Sequence, residues 1–260
     1  MDSSSNSYSS SELKDFLNSK VKEFNTPDFL PEDPLGIVHE FTLKQDREII
    51  GILLSTIAWG NRKSILKSGR RLIEIFDGKP FGFIQNHTEK DFEMVHFVHR
   101  TFQVSDLQFF CHGLKEIYKK HSSLESVFKA HDEHPGAKGR IVNFRETMLT
   151  FPHEKRSEKH LANPLNKSAS KRINMFLRWM VREDDQHVDF GIWKSIPINE
   201  LMIPLDVHTS KVGRKLGLIT RKQDDWLALE ELMVNLRKFD EKDPCKYDFA
   251  LFGLGAIEKM

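Results

Sequence analysis

The stretch NKSASKRINMFLRWMVR, residues 166–182, decides the fold because its apolar residues recur at helical spacing. These apolar residues are Ile173, Phe176, Leu177, Met180 and Val181. The opposite side carries Lys167, Lys171, Asn174, Arg178 and Arg182, and the stretch contains no acidic residue. We therefore predict an amphipathic helix over 168–182 with a positively charged side that would attract an anion.

A second stretch, PLDVHTSKVGRKLG at residues 204–217, has the start and stop signals of a short helix. Asp206 lies where a helix N-cap is expected, and Gly217 lies where a helix ends. The stretch predicts a helix over 207–216 with the carboxylate of Asp206 at its N-terminus.

The rest of the chain favours an all-α fold. Ser11 is a candidate cap for an N-terminal helix, and three prolines between 27 and 34 form a link after it. Further helices are expected at 45–59, 63–76, 105–119, 124–131, 137–151, 225–239 and 244–257. No turn flanked by alternating strands is evident. Residues 153–164, which are charged and end in proline, are expected to form a surface link.

Length and composition favour one two-lobed body. A chain of 260 residues is ample to bury a core, and Cys111 and Cys245 are too few for a disulfide framework, which favours a reducing, cytoplasmic compartment. Residues 1–10 are serine-rich and predict a disordered tail, leaving 11–260 as the folded part. The longest apolar run, 49–59, is too short to cross a bilayer. We expect a monomer that needs no membrane, metal or cofactor.

The distribution of charge says more than its sum. A formal net charge of +1 is only weak support for a nucleic-acid partner. However, three segments contain several basic residues and no acidic one: 61–73, 167–182 and 211–222. Acidic residues cluster after residue 224. Any one of these basic segments is explained as a solvated helix face. The three together favour a protein whose basic and acidic residues lie on different sides of its surface.

On these residues the chain resembles the helix-hairpin-helix DNA glycosylases. Residues 204–218 are similar to the segment that carries the catalytic Asp in that superfamily, and Lys171 is similar to the Lys that follows its hairpin. Residues 46–56 resemble the first core helix of endonuclease III relatives, and 248–255 resemble the helix near the end of their catalytic region. Within the superfamily the chain looks closest to an uncharacterised bacterial family and, in its irregular hairpin, to archaeal 8-oxoguanine glycosylases.

The resemblance implies a two-lobed glycosylase-like fold, with a central lobe at about 45–152, a hairpin and catalytic region at about 163–218 and terminal helices at 224–260. Three departures accompany it. The hairpin segment 163–169 lacks the usual glycines. Asp206 follows Lys171 by 35 residues (206 − 171), a longer gap than in endonuclease III relatives, which makes Lys167 the alternative nucleophile. The iron-sulfur cysteines of endonuclease III are absent.

The activity that the resemblance implies is removal of a damaged or mispaired base from double-stranded DNA, with or without lyase activity. Asp206 would stabilise the positive charge that develops on the sugar, and Lys171 would form a Schiff base with the sugar carbon. Asn61 is similar to the polar residue that enters the gap left in the duplex. The implied DNA-binding residues are Asn61, Arg62, Lys63, Lys167, Arg172, Arg178, His208, Lys211 and Arg214.

Several alternatives remain open from the sequence. Lys171 would also serve as an ordinary phosphate-binding Lys, Asp206 as a plain helix cap, and Trp59 as a core residue instead of a base-stacking one. The whole chain would also fit a non-catalytic nucleic-acid-binding protein on the same scaffold. A metal-dependent helical phosphohydrolase is the third class, based on His96, His99, His131, Asp132 and His134.

Overall fold

The structure, a computed structural model, describes residues 9–260 and is mostly helical, as the sequence predicts. The first six α-helices are α1 (Ser10–Phe24), α2 (Pro34–His39), α3 (Lys44–Ile57), α4 (Arg62–Ile75), α5 (Pro80–Asn86) and α6 (Val104–Lys120). The remaining ones are α7 (Gly136–Leu149), α8 (Lys171–Val181), α9 (Val207–Lys215), α10 (Trp226–Phe239) and α11 (Tyr247–Phe252). After α11 the chain continues into a π-helical turn, Gly253–Ile257.

Two very short strands form the sheet in the described part of the chain. Strand β1 (Val98–His99) pairs antiparallel with β2 (Phe102–Gln103), and Arg100 in the turn has a left-handed backbone (φ 56°). Strands of two residues are too short to show an alternating pattern, so the sequence contains no signal for this hairpin. Short 3₁₀ turns occur at Pro27–Glu32, Glu89–Phe92, Leu124–Val127, Lys155–His160, Pro164–Asn166, Ile198–Glu200 and Pro244–Lys246.

Helix α1 begins earlier than the sequence suggests. Ser9, not Ser11, is the N-cap, and it forms a reciprocal capping box with Glu12. The predicted disordered tail is therefore wrong for Ser9 and Ser10, while residues 1–8 lie outside the described part of the chain.

The core is built around α3, whose residues from Glu48 to Ile57 are all buried. Helix α8 packs directly on it: a Cβ placed on Gly51 would lie 3.1 Å from the ring of Phe176 and 3.2 Å from the Met180 methyl group. This close approach brings the start of α8 beside the end of α3. The position of Lys171 is therefore fixed by the packing of two buried helices.

Helix α11 is held between α1 and α9. The Phe24 ring lies so close to Gly253 that a Cβ there would be 2.2 Å from it. The Tyr247 hydroxyl donates to Asn18 Oδ1 at 3.0 Å. These contacts fix the helix that carries Asp248.

Two other expectations are corrected by the structure. The helix predicted at 124–131 is a four-residue 3₁₀ turn. The expected surface link at 153–164 is partly buried, because Ser157 donates to the buried carboxylate of Asp106 at 2.6 Å and His160 lies 3.3 Å from it. None of the helices in residues 9–260 has both the length and the apolar character to span a membrane.

Candidate functional site

The turn before α8 keeps a left-handed geometry without glycines. Lys167 (φ 63°) and Ser170 (φ 53°) both adopt the left-handed conformation, at a cost of roughly 1–2 kcal/mol per residue. The Lys167 carbonyl accepts a hydrogen bond from the Trp226 backbone at 3.0 Å, and Ser168 pairs with Asp225 in an isolated bridge. Glycines are therefore not needed for this turn, since neighbouring backbone contacts hold it.

The N-terminus of α8 is electropositive. Its N-cap, Ser170, makes no side-chain capping bond, and the first turn contains no acidic residue. The half-buried Lys171 has one side-chain contact, from Nζ to Met175 Sδ at 3.7 Å, and no ion pair with any residue of 9–260. Uncapped backbone N–H groups, the positive end of the helix dipole and this amine together make a site for an anion.

Asp206 caps α9, as its sequence position predicts. Its Oδ1 accepts from the backbone N–H groups of His208 at 2.9 Å and Thr209 at 3.0 Å. No donor among residues 9–260 binds its Oδ2. One oxygen is thus used to start the helix, and the other is left for a further partner.

Asp248 is the third charged group of this site, and the sequence analysis did not name it as a functional residue. It is 6% exposed, and burial together with the negative charge of Asp206 raises its pKa to about 6. The positive charges of Arg178 and Lys171 act on Asp248 in the opposite direction. Lys171 and Asp206 therefore each lie within electrostatic range of Asp248, although the three residues belong to α8, the N-cap of α9 and α11. The available signal was an acid in the apolar run YDFALFGLG, residues 247–255.

Arg178 does not have the exposed position that was predicted for a DNA-binding residue. It is 7% exposed, donates through Nε to Asp189 at 3.2 Å and pairs through Nη1 with Asp248. Arg182 is buried in the same way, with Asp189 at 3.1 Å and Asp243 at 3.0 Å. The cations on this side of α8 are neutralised by acids from distant segments, so Arg178 would orient Asp248 instead of contacting a phosphate.

The other predicted cations fall into two groups. Arg172 donates to the Thr56 carbonyl and lies 4.7 Å over the Trp59 ring, while Arg214 pairs with Asp224 at 2.6 Å; both serve the packing of the protein. The second group consists of exposed cations that form no ion pair within the described part of the chain: Lys63, Lys167 and Lys211. Arg62 is exposed and lies 4.0 Å from Asp33. The second group and Arg62 are available for a ligand.

Three remaining candidates have structural contacts. His208 is exposed, and its Nδ1 lies 3.3 Å from the Gly255 carbonyl, which joins α9 to the turn after α11. Asn61 is the N-cap of α4 and accepts from the Ser64 backbone at 3.4 Å. Trp59 is half-buried, and its ring contacts the Arg172 guanidinium at 4.7 Å and the His160 ring at 5.9 Å, so it is part of the packing.

A cleft of about 630 Å³ lies beside the start of α8. It is lined by Ser168 to Arg172, by 158, 159 and 161–163, and by Arg145, Asn166, Leu205 and Asp224. Lys171 therefore faces a space of the size that small-molecule and nucleotide sites occupy in proteins.

Two buried polar side-chain atoms of α8 and α9 have no hydrogen-bond partner within residues 9–260. Asn174 Oδ1, in the first turn of α8, and Thr209 Oγ1, in the first turn of α9, have no hydrogen-bond partner in the part of the chain that the structure describes. Native structures contain few such atoms, and each calls for an explanation. Asn174 lies three residues after Lys171 and Thr209 three residues after Asp206, so each of these atoms follows a candidate residue by one helical turn.

The histidine-based metal site is not assembled. His99 lies in β1 and not on a helix, where it contacts Ser68 Oγ at 2.9 Å, and the rings of His131 and His134 stack on each other at 5.0 Å. Within residues 9–260 no group of three or more His, Cys, Asp or Glu side chains is arranged to hold a metal ion.

A family model described as a protein of unknown function (DUF2400) matches residues 33–257, and the chain belongs to this family. Comparison with curated proteins and with solved structures finds no significant match. Helix α1 lies outside the matched residues.

Proposed function

From a family whose description assigns no function, we propose that this member is a DNA N-glycosylase with lyase activity, built on a two-lobed helix-hairpin-helix glycosylase-like fold. The observation that carries the proposal is that the buried Asp248 lies within electrostatic range of both Lys171 and Asp206, because an amine and a carboxylate are the groups that this chemistry needs. The uncapped start of α8 and the exposed Lys63, Lys167 and Lys211 supply the positive charge that a DNA backbone requires.

In the proposed reaction the target nucleotide is extruded from the duplex so that its sugar reaches the site. The Lys171 amine attacks C1′ of the sugar and forms a C–N bond, while the bond from C1′ to the base breaks and its electron pair leaves with the base, which takes up a proton. The Asp206 carboxylate stabilises the positive charge on the sugar as that bond breaks. The bound nitrogen then loses a proton, and its electron pair breaks the bond from C1′ to the ring oxygen O4′. O4′ takes up a proton, and the opened sugar is held as an iminium between Lys171 and C1′.

Asp248 would hold a proton close to this chemistry. A carboxyl group with a pKa of about 6 exchanges its proton readily near neutral pH, which suits an acid that protonates the leaving base or a base that deprotonates the amine. Its ion pair with Arg178 fixes the direction of the carboxyl group. Arg178 is accordingly assigned a positioning role.

The test is borohydride trapping, which reduces an iminium to a stable amine and so links protein to DNA. The purified protein is mixed with duplexes that contain oxidised, deaminated, alkylated or abasic sites. We expect a covalent adduct with the wild type that is lost in Lys171→Gln and retained in Lys167→Gln. Asp206→Asn and Asp248→Asn should slow base release on the same duplexes.

Three outcomes decide the matter. An adduct that survives Lys171→Gln and disappears in Lys167→Gln would move the nucleophile to Lys167. Base release without an adduct would establish a glycosylase without lyase activity. Neither adduct nor base release, with DNA binding intact, would contradict the enzymatic proposal and leave a binding protein.

A further inference from the structure

The turn of the β1–β2 hairpin presents an arginine whose charge is uncompensated. Arg100 is exposed and has a left-handed backbone (φ 56°). Its guanidinium makes no hydrogen bond or ion pair with any residue between 9 and 260. The side chain lies across Gly60, where a Cβ would be 2.7 Å from Arg100 Nη1 and 3.2 Å from its Cδ. Packing holds the side chain in place while its charge stays available.

The hairpin turn is tied to the turn between α3 and α4. The His99 ring bridges the two, with Nε2 at 3.1 Å from the Trp59 carbonyl and Nδ1 at 2.9 Å from Ser68 Oγ. Arg156 donates to the Thr101 carbonyl at 2.8 Å and holds the other side of the turn. Residues 59–61 and 99–101 thus form one supported projection, which we call the tip.

The tip contacts a residue that lines the cleft beside α8. The Arg172 guanidinium is 4.7 Å from the Trp59 ring, and Arg172 is one of the lining residues of the cleft. Gly60, which the Arg100 side chain approaches, directly follows Trp59. The stacked pair of Arg172 and Trp59 therefore connects the tip to the cleft that Lys171 also lines.

Asn61 and Arg100 are two exposed polar residues of the tip, and their side chains differ in the contacts they make. The Asn61 side chain caps α4. The Arg100 side chain is longer, and its flat guanidinium both stacks on bases and donates hydrogen bonds to base edges. Val98, which is 70% exposed and two residues away, adds apolar surface on the same hairpin. Proteins that open a base stack from the minor groove combine such a polar side chain, which reads the groove, with apolar surface that wedges between the bases.

We propose that Arg100, not Asn61, enters the gap that the extruded nucleotide leaves in the duplex and contacts the base on the opposite strand. This inference rests on the proposed function, since it requires a duplex from which a nucleotide is extruded. It assigns to the β1–β2 hairpin a DNA-binding role that sequence analysis gave to the start of α4.

Disulfide cross-linking tests the assignment directly. Both native cysteines are fully buried, so Arg100→Cys introduces the only exposed thiol of the chain. The probe is a duplex with an abasic-site analogue and a thiol-tethered base on the opposite strand. We expect Arg100→Cys to cross-link to this base about tenfold faster than to the same tether one helical turn away, a difference of about 1.4 kcal/mol. Asn61→Cys should cross-link to this base more slowly than Arg100→Cys, and Lys238→Cys, on α10, should show no preference between the two tethers.

Equilibrium binding of Arg100→Ala gives a second measurement that does not depend on a new thiol. We expect its affinity for the abasic duplex to fall about tenfold while its affinity for an intact duplex changes less than about threefold. Arg71→Ala, an exposed change on α4 that removes a local pair with Glu74, is the matched control and should leave the ratio of the two affinities unchanged.

The outcomes separate the two proposals. Faster cross-linking from Asn61→Cys than from Arg100→Cys, or an unchanged affinity ratio in Arg100→Ala, would overturn the role of Arg100 and leave the glycosylase proposal standing. A wild-type protein that binds neither duplex would overturn both.

Discussion

The two ends of α8 carry the same kind of charge in opposite surroundings. Lys171 at the N-terminal end faces the cleft and has no ion-pair partner within residues 9–260, whereas Arg178 and Arg182 at the other end are buried among aspartates. The acids that neutralise the buried arginines come from residues 184–189 and 243–248. A cationic stripe in a sequence therefore has no fixed meaning, because partners from distant segments decide which of its charges remain available.

The largest effect on stability is expected from replacing the buried Arg178 at the C-terminal end of α8. Arg178→Met removes the partner of two buried carboxylates, Asp189 and Asp248, and should lower the free energy of unfolding by about 3–5 kcal/mol. Denaturant unfolding measures it. Lys211→Met, which changes an exposed cation with no ion pair within residues 9–260, is the control and should leave the unfolding midpoint unchanged. Equal midpoints for the two variants would refute the contrast between buried and exposed cations.

The pH dependence of stability should reveal the proton on Asp248. Its folded-state pKa, about 6, lies above the ordinary value of 3.8, so the folded state binds this proton more tightly than the unfolded state. The stabilisation is complete below pH 3.8 and is lost as the pH rises through 6. Relative to Asp248→Asn, the wild type should lose about 1 kcal/mol of unfolding free energy between about pH 5 and pH 7.5.

Asp225 supplies the matched control for that experiment. Its hydrogen bonds with Arg221 lower its pKa to about 2, so its contribution to stability is present above 3.8 and is lost only as the pH falls towards 2. Asp225→Asn should therefore leave the slope between pH 5 and pH 7.5 as in the wild type. A wild-type slope in Asp248→Asn as well would mean that Asp248 does not titrate in this range.

Replacing an exposed cation near the N-terminal end of α8 should change DNA binding and not stability. Lys167→Gln should reduce the salt dependence of DNA affinity, the slope of log K against log salt, by about 1, because one phosphate contact is removed. Lys238→Gln, an exposed change on α10, should leave the slope unchanged. Fluorescence anisotropy over a series of salt concentrations measures both. Identical slopes for the two variants would place Lys167 outside the DNA interface.

The smallest effect concerns the left-handed turn before α8. Lys167→Gly should raise the free energy of unfolding by about 0.5–1 kcal/mol, since glycine adopts a φ of 63° without a Cβ penalty. Gly217→Ala is the converse change. Gly217 has a φ of 71° with no atom within 4 Å of an added Cβ, so that variant should lose stability through the backbone alone. A destabilised Lys167→Gly would show that the Lys side chain contributes contacts to the turn.

Local sequence signals were sufficient for the long helices and for one helix cap. The apolar periodicity of α3, α4 and α10 and the capping position of Asp206 both depend on residues within a few positions of each other, and these predictions are confirmed. Helices α2 and α5 were not predicted because six or seven residues are too few to show a period. The hairpin that carries Arg100 was missed for the same reason.

Tertiary packing determined which charged side chains are paired inside the protein and which remain available for a ligand. Arg178 and Asp248 are 70 residues apart in the chain, and their pairing turns a predicted phosphate contact into a support for a buried acid. The surroundings of Lys171, Asp206 and Arg100 likewise depend on contacts between α8 and α3, between α9 and α11, and between the hairpin and Gly60. Periodicity and capping are properties of one segment, whereas burial and ion pairing are properties of several segments brought together, so only the former can be read from the linear chain.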